Sequence, residues 1–324
     1  MATTTALPAG QPMNREELML GINPVMTELI QGYTNADFVG NFLFPQVPVN
    51  TRNGQIRSFG KDLFEDRELT RAPGAPYAAV DIGFEGIPYS LKQDAVRINI
   101  PFEYIEDAES VAMVDLPELA TGLEVEMMYS NLEKQQAKLA RTASSYPTAN
   151  VFTPQATDRW DDPASDPEKQ VIMAREIIRQ RTAKNPNVVV MGPAAFNALT
   201  VHPKLQDLKK YTTTDSIDTT LLARWFKVDA VYVGNALGAV NGVTYDIWGS
   251  DVIMAYVPKI TNKQVPAFGY TYVRKGFPLV MNALKDENND TFFYKAKFER
   301  NPYIVGNESG VLFQNVASGT VLTA

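Results

Sequence analysis

Cysteine is absent from this 324-residue sequence, and histidine occurs once, at His202. Without cysteine there is no disulfide framework, no thiolate metal site and no iron–sulfur cluster. With a single histidine the usual zinc sites go as well, so neither a metal nor a cofactor is expected. A Walker-type phosphate loop and the glycine fingerprint of dinucleotide-binding folds are also missing. No apolar run reaches ~18 residues, so no membrane span is expected. The opening MATTTALPAGQP lacks the basic and apolar regions of a secretory signal. Together with the missing cysteines this reads as a chain made inside the cell. Positive charge is in short supply: 30 Lys and Arg stand against 37 Asp and Glu, a net charge of −7. Affinity for phosphate comes from neutralisation by cations, so a primary nucleic-acid binder is disfavoured.

What is present is enough for a core: 45% of residues are apolar and 21% charged, on a length that suits two lobes. Residues 1–13 are rich in Thr, Ala and Pro and read as a disordered lead-in. Leu18, Ile22, Met26, Leu29 and Ile30 follow at roughly helical spacing, interrupted by Gly21 and Pro24, which predicts short helical pieces in an arm. NFLFPQVPVN reads as extended, because each proline disfavours helix in the residue before it. Residues 51–76 then hold nine charged and only seven apolar side chains. They end in the turn signal RAPGAP, and YAAVDIGFEGIPYSL returns as a strand. Such a long two-stranded excursion has no core of its own and is expected to find partners on another chain.

The strongest helix signal covers residues 116–144. Asp115 and Glu118 make a capping-box-like pair, and Pro117 sits in the first turn, where its missing N–H costs little. Val125, Met128, Leu132, Leu139 and Ala143 mark one face, and 29 residues would span roughly 43 Å. After the acidic turn DDPASDPE, Ser165-Asp166-Pro167 opens a helix to about Thr182. NVVVM is a buried strand, GPAAFNALTV a helix ending at His202-Pro203, and DTTLLARWF a further helix. VDAVYVG and YDIWGSDVIMAYV read as strands, and KDENND as a hairpin turn.

Three groups of residues invite a chemical reading. His202 titrates near neutrality, but it lies at a helix joint beside Lys204 and Asp207 and reads as a surface or helix-capping residue. Asp158, Asp161, Asp162, Asp166 and Glu168 lack the ligand spacing and glycine of a calcium loop and read as a solvated turn with helix N-terminal acids. The acids from Asp286 to Asp290 are explained by turn chemistry. No catalytic residue is assigned and the chain is not expected to be an enzyme. A hydrolase with an unrecognised carboxylate site remains the rival from that class.

The order of these pieces carries more information than any one of them. It runs from an arm through LFPQVPV, a charged ribbon and a long helix to a mixed lobe. That lobe contains SDPEKQVIMAREIIRQRTAKNPNVVVMGPAAFNALTVHPKLQDLKK, LLARWFKVDAVYVGNALG and IWGSDVIMAYVP, and the chain closes with FERNPYIVGNESGVLFQN. This resembles the major capsid proteins of tailed phages with the Hong Kong 97-like fold, over nearly the whole chain. The resemblance implies an α+β chain with an N-terminal arm (1–45), an extended β-ribbon loop (46–92), a peripheral domain (93–162 and 286–324) with a spine helix at about 116–144, and an axial domain (163–285). It implies hexamers and pentamers of the chain, closed into an icosahedral virion shell that is assembled in the host cytoplasm. That shell would enclose double-stranded DNA with weak, non-specific contact. The partners implied are the chain itself, a portal protein, a separate scaffolding protein (only about 45 residues precede LFP) and a decoration protein. Inter-subunit contacts would come from Arg57, Lys61, Asp62, Glu65, Asp66, Arg67, Glu68 and Arg71 of the loop and from Leu18, Ile22, Met26, Leu29 and Ile30 of the arm. Lys61, the sole lysine of the loop, reads as solvated rather than as a cross-linking residue. An encapsulin-like cargo shell is the rival within the same fold.

Overall fold

The computed structural model describes residues 37–58, 70, 85–111, 116–210, 217–259 and 267–318. In chain order the elements begin with a short helix α1 (Gly40–Leu43), then β1 (Gln46–Val49), β2 (Asn53–Ser58), β3 (Glu85–Ser90), β4 (Lys92–Pro101), α2 (Phe102–Val111) and α3 (Leu116–Arg141). Next come β5 (Val151–Phe152), α4 (Pro167–Thr182), β6 (Val188–Met191), α5 (Pro193–Val201), α6 (Pro203–Lys210) and α7 (Thr219–Phe226). The remainder is β7 (Ala230–Val233), β8 (Leu237–Val240), β9 (Val243–Asp246), β10 (Val252–Ala255), β11 (Gly269–Arg274), β12 (Leu279–Asp286), β13 (Thr291–Ile304) and β14 (Gly310–Phe313). The chain is therefore mixed α and β, as its sequence implied. No described helix is long and apolar enough to cross a membrane.

Two compact units divide the chain. Of the described residues, one comprises 93–111, 116–128 and 276–299; the other comprises 37–58, 70, 85–92, 129–210, 217–259, 267–275 and 300–318. The division cuts α3 between Met128 and Tyr129, and β13 between Glu299 and Arg300.

The larger unit is built on a sheet in the order β5-β14-β10-β6-β7. Its central strands are apolar at every position because both faces are covered. Alternation assigns the faces. Val189, Met191, Val252, Met254, Val311 and Phe313 pack with Val171, Ala174 and Ile178 of α4, with Leu199 of α5, and with Leu222 and Phe226 of α7. Val190, Ile253, Ala255 and Leu312 belong to the other cluster, with Ala137 and Ala140 of α3, Leu43, Phe44 and Trp248. The start of α4 is local chemistry: Asp166 accepts from the Lys169 amide at 3.2 Å, and Pro167 occupies the first helical position. In the same unit β1 pairs in parallel with β11, which pairs antiparallel with β13. Pro48 is tolerated because β1 lies at the edge of that ladder.

The smaller unit has a modest core. Ile100, Ala120 and Tyr294 are buried together, with Ile98, Ile105, Leu116 and Phe292 against them. Strands β12 and β13 pair antiparallel around the turn at 286–290. There Asp286 accepts from the Asn288 amide at 3.0 Å, Asp290 takes a positive φ of 43°, and Lys285 pairs with Asp290 at 2.8 Å.

Several expectations are corrected. NFLFP is not extended throughout, since Gly40–Leu43 is helical. The long helix ends at Arg141 rather than Ser144. Helix α2 and the hairpin β8–β9, which the sequence reading passed over, are present. Asp115 lies outside the described residues.

Candidate assembly interface

The arm residues Leu18, Ile22, Met26, Leu29 and Ile30 lie outside the described residues, as do Lys61, Asp62, Glu65, Asp66, Arg67, Glu68 and Arg71 of the loop. Only the backbone of Arg57 is placed, in β2. What the structure does show is how residues 39–44 and the ladder of β2 and β3 are held in the larger unit.

Strands β2 and β3 form an antiparallel ladder that pairs Asn53 with Ser90 and Ser58 with Glu85. Ile56 and Tyr89 turn inward and join Val47, Val49, Tyr270 and Tyr272. Tyr89 stacks on Tyr272 with ring centres 5.1 Å apart. The Tyr303 hydroxyl clamps Ser90, accepting from its amide at 3.0 Å and donating to its carbonyl at 2.9 Å. The carbonyl of Ser90 also accepts from Asn301 at 2.9 Å. A two-stranded ribbon is marginal alone; this aromatic and hydroxyl clamp fixes its base.

Residues 39–44 are held more firmly. Glu133 of α3 is buried, and its carboxylate accepts from the amides of Val39 at 2.9 Å and Gly40 at 3.0 Å and from the Trp248 indole at 2.7 Å. Burial pushes the Glu133 carboxyl above its ordinary range, and these donors pull it back. One turn on, Gln136 donates to Asn41 at 3.1 Å and to Thr271 at 2.8 Å, and the Thr271 hydroxyl donates to the Phe44 carbonyl at 3.1 Å. A Cβ at Gly40 would run into the Gln136 amide oxygen and the Glu133 carboxylate, so any larger residue there would have to displace the side chains that hold it. The sequence reading missed this network. Its signal is weak: two polar residues, Glu133 and Gln136, share a helical stripe with Ala137 and Ala140.

His202 is not a surface residue. It is 2% exposed, so that half of the expectation is overturned, while the capping half stands, since it is the C-cap of α5. Its Nδ1 accepts from the Lys204 amide at 3.3 Å, which leaves the proton on Nε2, facing the buried Ser165 hydroxyl at 3.2 Å. Burial lowers its pKa against the pull of a hydrogen bond to the Asp162 backbone, and the Lys204 charge adds to the lowering. The acidic turn beside it is structural. Asp162 accepts from the Ala164 amide at 2.8 Å, and Asp161 from the Ser318 amide at 2.9 Å. Asp166 pairs with Lys204 at 2.8 Å. Among the described residues no group of three or more acids or histidines is arranged to hold a metal ion.

Replacing His202 by alanine should strand the Ser165 hydroxyl and open a void, at a cost of about 1–3 kcal/mol of unfolding free energy, read by urea denaturation. His202→Asn keeps a polar partner and should lose less. The lowered pKa makes the wild-type group's contribution full above about pH 6.5 and lost as pH falls, because the unfolded chain then binds a proton that the folded chain refuses. A His202→Ala effect that is negligible at pH 7.5 would contradict this account.

Comparison with known proteins supplies the rest. Residues 146–268 match the family model of phage major capsid protein E. The major capsid protein of Burkholderia phage BcepMu is 31% identical over 313 residues, covering 94% of this chain and 99% of that protein. Among solved structures, a phage-related protein from Bordetella bronchiseptica RB50 superposes with a TM-score of 0.78 at 30% identity, covering 91% of this chain and 97% of the other. The holo-SrpI encapsulin of Synechococcus elongatus reaches a TM-score of 0.50 at 10% identity, over 92% of this chain and 97% of the other, a likeness of fold alone. This near full-length kinship places the chain: it belongs to the major capsid proteins of phages.

Proposed function

We propose that copies of this chain gather as hexamers and pentamers and close into the icosahedral shell of a tailed phage, in the cytoplasm of its host, around double-stranded DNA. The near full-length identity to the BcepMu capsid protein carries this reading. Physical chemistry agrees with it. A wall of net charge −7 holds DNA without adhering strongly to it, and many modest contacts per subunit suffice for a closed shell. By role, residues 1–45 form the arm, 46–92 the extended loop, 93–162 and 286–324 the peripheral domain, and 163–285 the axial domain. A scaffolding protein, a portal protein and a decoration protein complete the set of partners. Electron microscopy of the purified protein tests the core of this reading. Closed particles, or rings of five and six, are expected; protein that stays monomeric under every assembly condition overturns it.

The loop contributes electrostatic contacts between copies in this reading. Exposed ion pairs are worth only about 0–1 kcal/mol each, but they repeat around every subunit. Arg67→Glu combined with Arg71→Glu should therefore block assembly while circular dichroism and melting temperature stay unchanged. Normal assembly of this variant at all salt concentrations would reduce the loop charges to a solubility role.

A further inference from the structure

Helix α3 is divided by charge. From residue 98 to 133 the sequence carries nine acids and no lysine or arginine, and from 134 to 141 it carries three cations and no acid; Glu124 and Glu133 are buried, while Glu103, Glu106, Glu118 and Glu126 are exposed. The helix dipole favours acids and bases only in the first and last turns, so it does not account for Glu126 or Lys134. The acidic half is also apolar outside. Leu119, Leu123 and Met127 are exposed at four-residue spacing and form one stripe. On α2, Tyr104 is 63% exposed between exposed Glu103 and Glu106.

The basic half faces something different. Lys134, Lys138, Arg141 and Tyr245 line a cleft of about 510 Å³. Arg141 is committed to Asp251 at 2.5 Å and to the Ile247 carbonyl at 2.8 Å. Lys134 and Lys138 make no ion pair with a described residue. Tyr245 belongs to the hairpin β8–β9, which is hydrogen-bonded to no other sheet among the described strands. Leu237, Val240 and Val243 of this hairpin are exposed, Val243 by 70%. The hairpin is nonetheless well specified. Its tip, Asn241-Gly242, has positive φ at both residues (52° and 81°), the twist that a tight hairpin favours. The Ile247 amide closes its base on the Ala236 carbonyl at 3.1 Å. An isolated two-stranded sheet with apolar faces in water marks a contact surface.

We propose that these are the two halves of one contact between copies. The hairpin and the Lys134/Lys138 cleft of one copy receive the acidic, apolar α2–α3 surface of another. The charges are complementary and each half offers apolar area, so a second copy satisfies both. The two patches differ, so the contact is heterologous, the kind that closes rings when the rotation allows. The proposal rests on the self-assembly proposed above.

The missing cysteines make the test clean. Val243→Cys should react with a maleimide on the order of tenfold more slowly in assembled particles than in free subunits, as expected for a side chain covered on assembly. Lys134→Glu with Lys138→Glu should lower particle yield by roughly tenfold, since each lost contact recurs on every subunit. The subunit melting temperature should not move. Glu103→Lys with Glu106→Lys should do the same, and all four reversals together should restore assembly. Equal Val243→Cys reactivity in both states, or reversals without effect, overturns the contact. Protection that appears only when another virion protein is added assigns the surface to that protein and also overturns it. Wild-type protein that forms no particles would instead indict the self-assembly reading. Should a reversal variant fail to fold, Val243→Cys still decides, because that side chain lies outside the core.

Discussion

Glu133→Ala is expected to bring the subunit to the edge of unfolding. The carboxylate satisfies three buried donors, the amides of Val39 and Gly40 and the Trp248 indole. Alanine leaves all three without an acceptor, in a place water does not reach. Each stranded donor costs about 1–3 kcal/mol, and the void left by the side chain adds to that. A domain's whole stability is about 5–15 kcal/mol. The variant should therefore be recovered mostly in inclusion bodies, or melt far below the wild type. Glu133→Gln should fall between the two. Its amide oxygen keeps one set of acceptors, while its NH₂ group meets the Gly40 amide, which also donates. A Glu133→Ala subunit that melts within a few degrees of wild type would show that the network is ornamental. The failure should begin at residues 39–40, since the carboxylate is what ties them to α3. Fast proteolysis near Asn41 in any folded Glu133→Gln fraction is the expected sign.

The same network shows why some of the fold was legible in the sequence and some was not. Helix α4 announced itself because its cause is local: Asp166 caps and Pro167 starts it within two residues. Strand β6 did so because burial on both faces leaves a continuous apolar run. Helix α1 did not. Its residues, GNFL, have no helical signal, and they are held by a carboxylate 93 residues further along the chain. His202 misled for the same reason, because its burial depends on Ser165 and on a turn that arrives from elsewhere in the sequence. The hairpin β8–β9 is different: Asn241-Gly242 between apolar runs is a local signal that was there to be read. The resemblance named an arm and a loop, whereas Tyr303 and Asn301, which hold Ser90, and Glu133, which holds residues 39–40, are ordinary residues until the fold brings their partners to them. Two buried acids, Glu124 and Glu133, look in sequence like any acids on a solvated helix.

Glu124 should make the smaller unit more stable in mild acid than at neutral pH. The side chain is fully buried, one oxygen accepts from the Ile98 amide at 3.1 Å, and the other has no hydrogen-bond partner. Burial raises its pKa from 4.5 to about 7, against the pull of that amide. A raised folded pKa means that the folded chain binds the proton more tightly than the unfolded one. The contribution is then complete below about pH 4.5 and lost as pH rises through 7. The shift corresponds to a contribution on the order of 3 kcal/mol. Glu133 acts in the same direction. His202, whose pKa is lowered, acts in the opposite one below its unfolded value, so the wild-type profile between pH 5 and 7 is a partial cancellation. Glu124→Gln separates the contributions. It removes the proton and keeps an acceptor for Ile98, so it should match wild type near pH 5 and exceed it at pH 8. The variant should also expose the underlying fall in stability towards acid that His202 produces. Urea midpoints of both proteins at pH 5, 6, 7 and 8 give the comparison. A difference between them that does not grow with pH would mean that Glu124 stays ionised in the folded subunit, and that water or a shift of α3 reaches its second oxygen.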